Sequence, residues 1–498
     1  MQVRFEAHSP FSGYIVVGMG QNKEMCPFTR DLDKSVGHFI SHSLEHKNFS
    51  GKLGECCKLV LPKGHSVQVV YILGLGDLAK LSPLHASQIG GHLGAHLKQI
   101  NNDTVRVSLS QLTGTALSNE EASAHVAYGS LLRMWDFTKY KTKKDENQPP
   151  KKVEHLIMDV ATPSISQAHF DRLKAVAEGV FLTRELVSEP SNVLYPETFV
   201  ERAKALKSLG VTFDVLDETD MRKLGMHALL GVGQGSEKES KLLVLQWHGG
   251  AKDEPPIAIV GKGVTFDTGG ISLKPSAGMD DMKTDMAGAA VVVGLLHALA
   301  ARNAKVNVVG VAGLVENMPS GAAQRPGDIV KSMSGQTIEV LDTDAEGRLV
   351  LADALWYTQH RFKPKLMVDL ATLTGAILIA LGDEMAGLFS NNDELAQRLT
   401  DAGTSVDELL WRLPLSDAYD KDIDSTIADV KNLGAPRLAG STAAAQFLQR
   451  FVNHVPWAHL DIAGTKSARK DKPLAAKGPT GFGVRLLHQM IWDHYEVH

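Results

Sequence analysis

Apolar residues recur along this chain with two different periods. Phe170, Leu173, Val176, Val180 and Phe181 fall at helical spacing, which predicts a helix over residues 168–187. Pro190 and Pro196 close that segment. The short β-branched runs Ile257–Val260 and Val306–Val311 predict strands, and the longer Ala- and Leu-rich runs Ala287–Ala301 and Leu349–Tyr357 predict helices. Val153–Val160 (VEHLIMDV) reads as one more strand of a first domain. Alternation of this kind predicts an α/β chain of two domains. The boundaries expected are an N-terminal α/β domain over 1–164, a connecting helix over 165–190 and a larger α/β domain over 191–498, its mixed sheet flanked by helices. In such folds sites collect at the carboxyl ends of strands.

Composition narrows the function classes. The 498 residues are 43% hydrophobic and 22% charged, an ordinary globular balance that excludes a disordered chain. The net charge of -5 argues against a protein whose main task is coating nucleic acid. Residues 1–160 carry 18 Lys/Arg against 15 Asp/Glu, and the remainder 34 against 42. The sharpest local shift is the run 139–152, with six lysines and a Pro-Pro break, which reads as an exposed loop. Three cysteines, two of them the neighbours Cys56 and Cys57, make no disulfide framework and point to a reducing compartment. No stretch reaches the roughly 18 uninterrupted apolar residues of a membrane helix. Glu6 interrupts the start before any apolar run, so no signal peptide is expected, and the location expected is cytoplasmic, with no membrane partner.

Several short motifs carry less than their spelling suggests. His42-Ser43-Leu44-Glu45-His46 matches one metalloprotease pattern. No third ligand lies nearby, and an exposed helix of the first domain explains it. Asp342-Thr343-Asp344-Ala345-Glu346-Gly347 resembles the opening of a calcium loop. A turn and a strand precede it where a calcium hand needs a helix. Gly231-Val232-Gly233-Gln234-Gly235 lacks the full dinucleotide fingerprint. Neither a phosphate-loop pattern nor a serine-hydrolase elbow occurs.

Two segments hold the chemistry. In the first, a strand runs into the glycine-rich stretch Gly261-Lys262-Gly263 through Asp267-Thr268-Gly269-Gly270 to Lys274, followed by Asp285 before an apolar helix. Polar residues crowded around glycines at a strand end are costly unless they bind something. The second is Asp342-Thr343-Asp344-Ala345-Glu346-Gly347-Arg348. In an extended chain its alternate carboxylates would share a face. Helix capping accounts for one of these acids and not for three. Asp267, Asp285, Asp344 and Glu346 together make an oxygen-rich site that suits two divalent ions about 3.5–4 Å apart, sharing an activated water. Zn, Mn and Mg are all compatible with such ligands. Lys274 and Arg348 are then free to hold an oxyanion or a small anion.

The runs VGKGVTFDTGGISLKPSAGMDDMKTDM and DTDAEGRLVLADAL, with Ala371-Thr372-Leu373-Thr374-Gly375, resemble the leucyl aminopeptidase family of hexameric two-metal enzymes. The likeness extends to Arg184–Asn192, Glu316-Asn317-Met318-Pro319 and His459–Gly464, covering about residues 180–490, and the lysine run resembles the end of that family's N-terminal domain. The resemblance implies metal ligands at Lys262, Asp267, Asp285, Asp344 and Glu346. Lys262 comes from the resemblance alone, since an amine ligates only when neutral and otherwise reads as a salt-bridged lysine.

The resemblance further implies that Lys274 polarises the scissile carbonyl and that Arg348 holds a bicarbonate ion relaying a proton. Met282 and the turn Thr372, Leu373, Thr374 and Gly375 would line the pocket for the substrate's first side chain. It implies a metal-dependent aminopeptidase acting on peptides with a free N-terminus, leucine-like ones preferred, and a homo-hexamer. Two departures stand out: Asp342, where the family usually has Asn, and Ala287, where it usually has Gly. The alternatives are a DNA-binding accessory protein, favoured only by the run 139–152, and an inactive hexameric scaffold.

Overall fold

Five parallel strands and one antiparallel edge strand form the first sheet of the computed structural model, which describes residues 1–9, 11–21, 25–109, 117–143 and 152–497. They are β1 (Gln2–Glu6), β2 (Gly13–Met19), β3 (Cys56–Val60), β4 (Val67–Gly74), β5 (Thr104–Ser108) and β6 (His155–Asp159), in the spatial order β1-β6-β5-β2-β4-β3. The strand read from VEHLIMDV is β6, pairing in parallel with both β1 and β5. One face of this sheet packs Ile15, Val17, Val70 and Ile72 against Ile40 and Leu44 of the helix Phe39–His46. That helix carries the His42–His46 motif, with His42, Glu45 and His46 all exposed. The lysine run is exposed over residues 139–143, and residues 144–151 of it lie outside the described residues. All three cysteines are free thiols.

The chain divides into two compact units, Met1–Ala177 with Lys470–Lys477, and Glu178–Arg469 with Gly478–His498. The division falls within one 26-residue helix, Pro163–Ser188, longer at both ends than the 168–187 pattern. Pro163 is its first residue, where a missing N–H costs nothing.

The second unit is built on eight strands: β7 (Thr212–Leu216), β8 (Lys241–His248), β9 (Ile257–Asp267), β10 (Asn307–Asn317), β13 (Leu366–Ala371), β14 (Ala386–Ser390), β15 (Leu410–Arg412) and β17 (Trp457–Asp461). A small separate sheet joins β11 (Ile329–Lys331), β12 (Thr337–Glu339) and β16 (Val430–Lys431). The main order is β15-β14-β17-β13-β9-β10-β8-β7. Its centre, β17-β13-β9-β10, is parallel, and both flanks are reached through antiparallel pairs. The sheet is therefore mixed. β9 and β10 are buried along nearly their whole length, as central parallel strands covered on both faces must be.

The helix Ala287–Ala301 lies on this sheet, buried except at His297 and Ala301. Residues 279–301 are long and apolar enough to cross a membrane, and here they form core, packed against β9 and β10. Small residues permit the approach: a Cβ on Gly261 would lie 2.6 Å from the carbonyl carbon of Gly288. Four parallel strands thus present their carboxyl ends side by side, at Asp267, Asn317, Ala371 and Asp461.

Candidate metal centre

Asp267 is the last residue of β9, and Asn317, its register partner at the end of β10, fixes it by donating Nδ2 to Asp267 Oδ1 at 2.8 Å. The chain then turns sharply. Gly269 has φ +87°, and a Cβ there would lie 2.4 Å from Ser272 O and 2.9 Å from Asp344 Oδ1. Only glycine fits such a position. The turn returns its N–H to Asp267 Oδ1 at 2.9 Å and is stitched to the second segment through Thr343, whose hydroxyl donates to Gly269 O (2.6 Å) and accepts from Ser272 N (2.8 Å).

The second segment is a turn, not the extended strand that alternate-residue geometry assumed. Asp344 and Glu346 still converge, and carboxylate oxygens of Asp267, Asp344 and Glu346 lie within 4.8 Å of one another. Asp342 does not join them. Its Oδ1 accepts from the backbone N–H of Asp344 at 2.9 Å, holding the turn. The helix Gly347–Phe362 starts immediately after Glu346.

Two lysines reach into the acids. Lys262, in the middle of β9, is buried, with its ammonium 2.8 Å from both Asp285 Oδ2 and Glu346 Oε1 and donating to Thr372 O at 2.9 Å. A Cβ on Gly347 would lie 2.8 Å from Lys262 Nζ, so the glycine after Glu346 makes room for the amine. Burial alone would lower the pKa of Lys262, but the carboxylates of Asp285, Glu346 and Asp267 override it and hold the ammonium above its usual range. Lys274 lies against Asp267 and Asp344 and is raised in the same way.

The acids are raised as well. Burial, with Asp267 and Glu346 close by, pushes Asp344 up to about 7. Burial also pushes Asp285 up to about 7 against the pull of Lys262, and raises Glu346. Four carboxylates with two ammonium groups leave negative charge in surplus, and Glu346 Oε2 is buried with no hydrogen-bond partner among the described residues. A donor set of crowded carboxylate oxygens with an orphaned lone pair is the chemistry of a divalent-cation site, and these residues fit one.

Arg348 is buried and its Nη1 donates to Asn432 O at 2.8 Å, leaving Nε without a partner among the described residues. Burial lowers it to about 10, opposed by Glu346, Asp342 and Asp461. Met282 lies in the short helix Met279–Thr284, directly before Asp285. Thr372 donates its hydroxyl to Asp285 Oδ1 at 2.7 Å. Leu373 N and Thr374 Oγ1 donate to the buried Asp461 at 3.1 and 2.7 Å, and Gly375 opens the next helix. The residues singled out in the sequence thus occupy one end of one sheet.

Three further polar residues organise this end: Asn317 and Asp461, which lie inside runs that carry the resemblance but were given no role, and Asn432, which the sequence reading missed. Asn432 is fully buried next to β16, about 90 positions from the acids it holds. Its Nδ2 donates to Asp342 O (2.6 Å) and Ala345 O (3.3 Å), and its Oδ1 accepts from Leu341 N (2.8 Å). One amide thereby spans the whole acidic turn. A lone Asn in a loop carries no periodic signal, and only the fold reveals its reach.

Residues 181–488 match the model of the cytosol aminopeptidase family catalytic domain, and residues 16–144 match that family's N-terminal domain. A protein named probable cytosol aminopeptidase from Chelativorans sp. (strain BNC1) is 54% identical over 448 residues, 90% of each chain. Its namesake from Nitrobacter winogradskyi is 50% identical over 477 residues, 95% of each. Among solved structures, a mutant of tomato leucine aminopeptidase superposes with TM-score 0.87 at 30% identity, covering 99% of this chain and 97% of that one. The bottromycin maturation enzyme BotP in complex with Mn gives 0.83 at 31% identity, covering 96% and 98%.

Proposed function

The chain belongs to the cytosol aminopeptidase family, and from that premise we propose a two-metal exopeptidase that releases N-terminal residues from peptides, leucine-like ones preferentially. Metal dependence and hydrolysis of peptides come with the family; the metal count, the residue roles and the preference are our reading. The observation that supports it is the carboxylate trio Asp267, Asp344 and Glu346, with ligand oxygens within 4.8 Å, extended by Asp285 and Lys262.

Lys262, Asp267, Asp285, Asp344 and Glu346 are the residues we assign to hold two divalent ions, Mn or Zn, with Mg also suited to one position. When bound, such ions act as Lewis acids and bring a water to a pKa near neutrality. Asp285, Asp344 and Glu346, raised by burial, would give up protons as the ions enter, since cations beside them favour the charged form. Lys274 would orient and polarise the scissile carbonyl from its place beside Asp267 and Asp344. Arg348, whose Nε has no partner among the described residues, is the group we assign to a bicarbonate ion that would carry a proton. Met282 and the turn from Thr372 to Gly375 would receive the first side chain. We also infer a cytoplasmic homo-hexamer, on the likeness to the family.

A free α-amino group is expected to be required, because that amine would complete the coordination of a cation. The test is a peptide and its N-acetyl twin offered to protein of measured metal content. Cleavage of the free peptide alone supports the exopeptidase, and equal hydrolysis of both overturns it. Protein that retains metal yet cleaves nothing on a broad aminoacyl-amide panel is instead the inert scaffold.

A further inference from the structure

A cavity of about 250 Å³ has Asp281, Leu378, Asp383, Ala463, Lys466 and Arg469 on its walls. One carboxylate ties it to the 372–375 turn. Asp461, buried at the end of β17, accepts from Leu373 N and Thr374 Oγ1 on one side and from Ala463 N at 3.2 Å on the other. Leu378 belongs to the helix Gly375–Leu381 that this turn begins, and Asp281 is the neighbour of Met282. Asp281, Leu378 and Ala463 thus link the cavity to Met282 and to the 372–375 turn.

Its charges are unequal in reach. Asp383 is spent on Arg469, whose guanidinium donates to it at 2.7 Å, and the Arg469 side chain is itself 80% exposed. Lys466 is different, being 11% exposed and donating to Asp281 at 2.6 Å, while Asp281 is 55% exposed. An ammonium has three N–H donors, and Asp281 is its side-chain partner among the described residues. Water screens the outer carboxylate more than the inner ammonium. The interior of the cavity thus offers apolar wall at Leu378 and Ala463, and then a cationic donor.

Resting on the aminopeptidase reading above, which brings the substrate's first side chain to Met282 and the 372–375 turn, we propose that Lys466 on the wall of the adjoining cavity determines which side chains are accepted. The class favoured is a flexible side chain ending in an oxygen acceptor, glutaminyl or glutamyl, alongside leucyl. A lysyl substrate is disfavoured, because its ammonium would meet another. Discrimination by a buried donor that is left unpaired by the wrong substrate is steep, whereas apolar contacts discriminate weakly.

The test measures kcat/KM of the metal-loaded enzyme on leucyl, glutaminyl, glutamyl and lysyl amides. Lys466→Met is expected to lower the glutaminyl-to-leucyl ratio by about tenfold or more and to raise the lysyl-to-leucyl ratio, while Lys466→Arg keeps the wild-type order. Asp281→Asn, which frees the ammonium of its competitor, should raise the glutaminyl and glutamyl ratios and serves if Lys466→Met does not fold. An unchanged ratio in Lys466→Met, or in Asp281→Asn when the first variant is insoluble, overturns the assignment of Lys466 while leaving the aminopeptidase standing. Wild-type protein that hydrolyses none of the amides, leucyl included, overturns both.

Discussion

Each unit of the molecule buries a cluster of charges, and the two clusters are built by different rules. In the N-terminal unit Arg106 on β5 reaches across the sheet to Asp159 at the end of β6 and to Glu6 at the end of β1, the latter at 2.7 Å. Phe11 covers the guanidinium, with Cζ 5.0 Å from the ring centre, and His8 approaches the second oxygen of Asp159 at 3.3 Å. The acids there are matched to the donors of one planar guanidinium, which grips two carboxylates at once. In the second unit four acids face two lysines, and Glu346 Oε2 has no partner among the described residues. Both clusters sit at the carboxyl ends of parallel strands, so position does not separate them. The balance of acids to donors does: around Arg106 two carboxylates share one guanidinium, whose Nε is left without a partner among the described residues, whereas the second cluster keeps carboxylate lone pairs in reserve.

Substitution should separate the clusters most sharply at one acid from each. Asp344→Ala is expected to lose bound metal and nearly all activity together. Asp159→Ala should cost about 3–5 kcal/mol of stability through the stranded Arg106 and leave the metal content of the folded protein unchanged. Metal analysis and denaturation of the two variants decide it, and metal loss in Asp159→Ala would erase the distinction. Within the second cluster, Lys274→Ala and Arg348→Ala should keep both ions yet lose about 10²–10³ in kcat, as groups that act on charge developing in the substrate. If Arg348→Ala sheds metal as readily as Asp344→Ala, the arginine is structural.

A smaller effect is expected from the neutral residue that spans the acidic turn. Asn432→Ala leaves Leu341 N, Asp342 O and Ala345 O without their amide partner. Metal affinity by chelator competition should fall about 10–100-fold, the usual penalty when a group that orients ligands is removed. An unchanged affinity would show that the turn holds its shape alone. Least affected should be Asp342→Asn. Its Oδ1 can still accept from Asp344 N, so only a distant charge is lost and affinity should weaken by at most about fivefold, on the order of 1 kcal/mol.

The sequence disclosed the acids of the site but little of what steers them. Asp267, Asp344 and Glu346 stood out because carboxylates among glycines at a strand end have no cheap structural reading. The apolar pattern ended β9 at Val260, where Gly261-Lys262-Gly263 interrupts it, yet the strand runs on to Asp267. The glycines are there for the close helix, and ion pairs to Asp285 and Glu346 make burial of Lys262 tolerable. Asp342 looked like a third member of a converging face because an extended chain was assumed; the turn sends its carboxylate to the backbone. Asn317 and Asp461 lay inside runs that carry the resemblance yet had no role of their own, and Asn432 was not singled out at all, for a common reason. Each is a single polar residue without a repeating neighbour, and its partner lies 26 to 90 positions away.

Those separations bear on how the protein is made. Lys262 meets Thr372 O across 110 positions, and Asp267 is steadied by a residue 50 positions on. Contacts so distant along the chain form late, after the loops between them have paid their closure entropy. An unfolded or half-translated chain therefore has nothing with which to grip an ion. Whatever binds only the finished site pulls the folding equilibrium towards it, by about 2.7 kcal/mol when free ion stands at 100 times its Kd. The cell's supply of divalent metal then sets how long each newly made copy survives, before it has cut a single peptide.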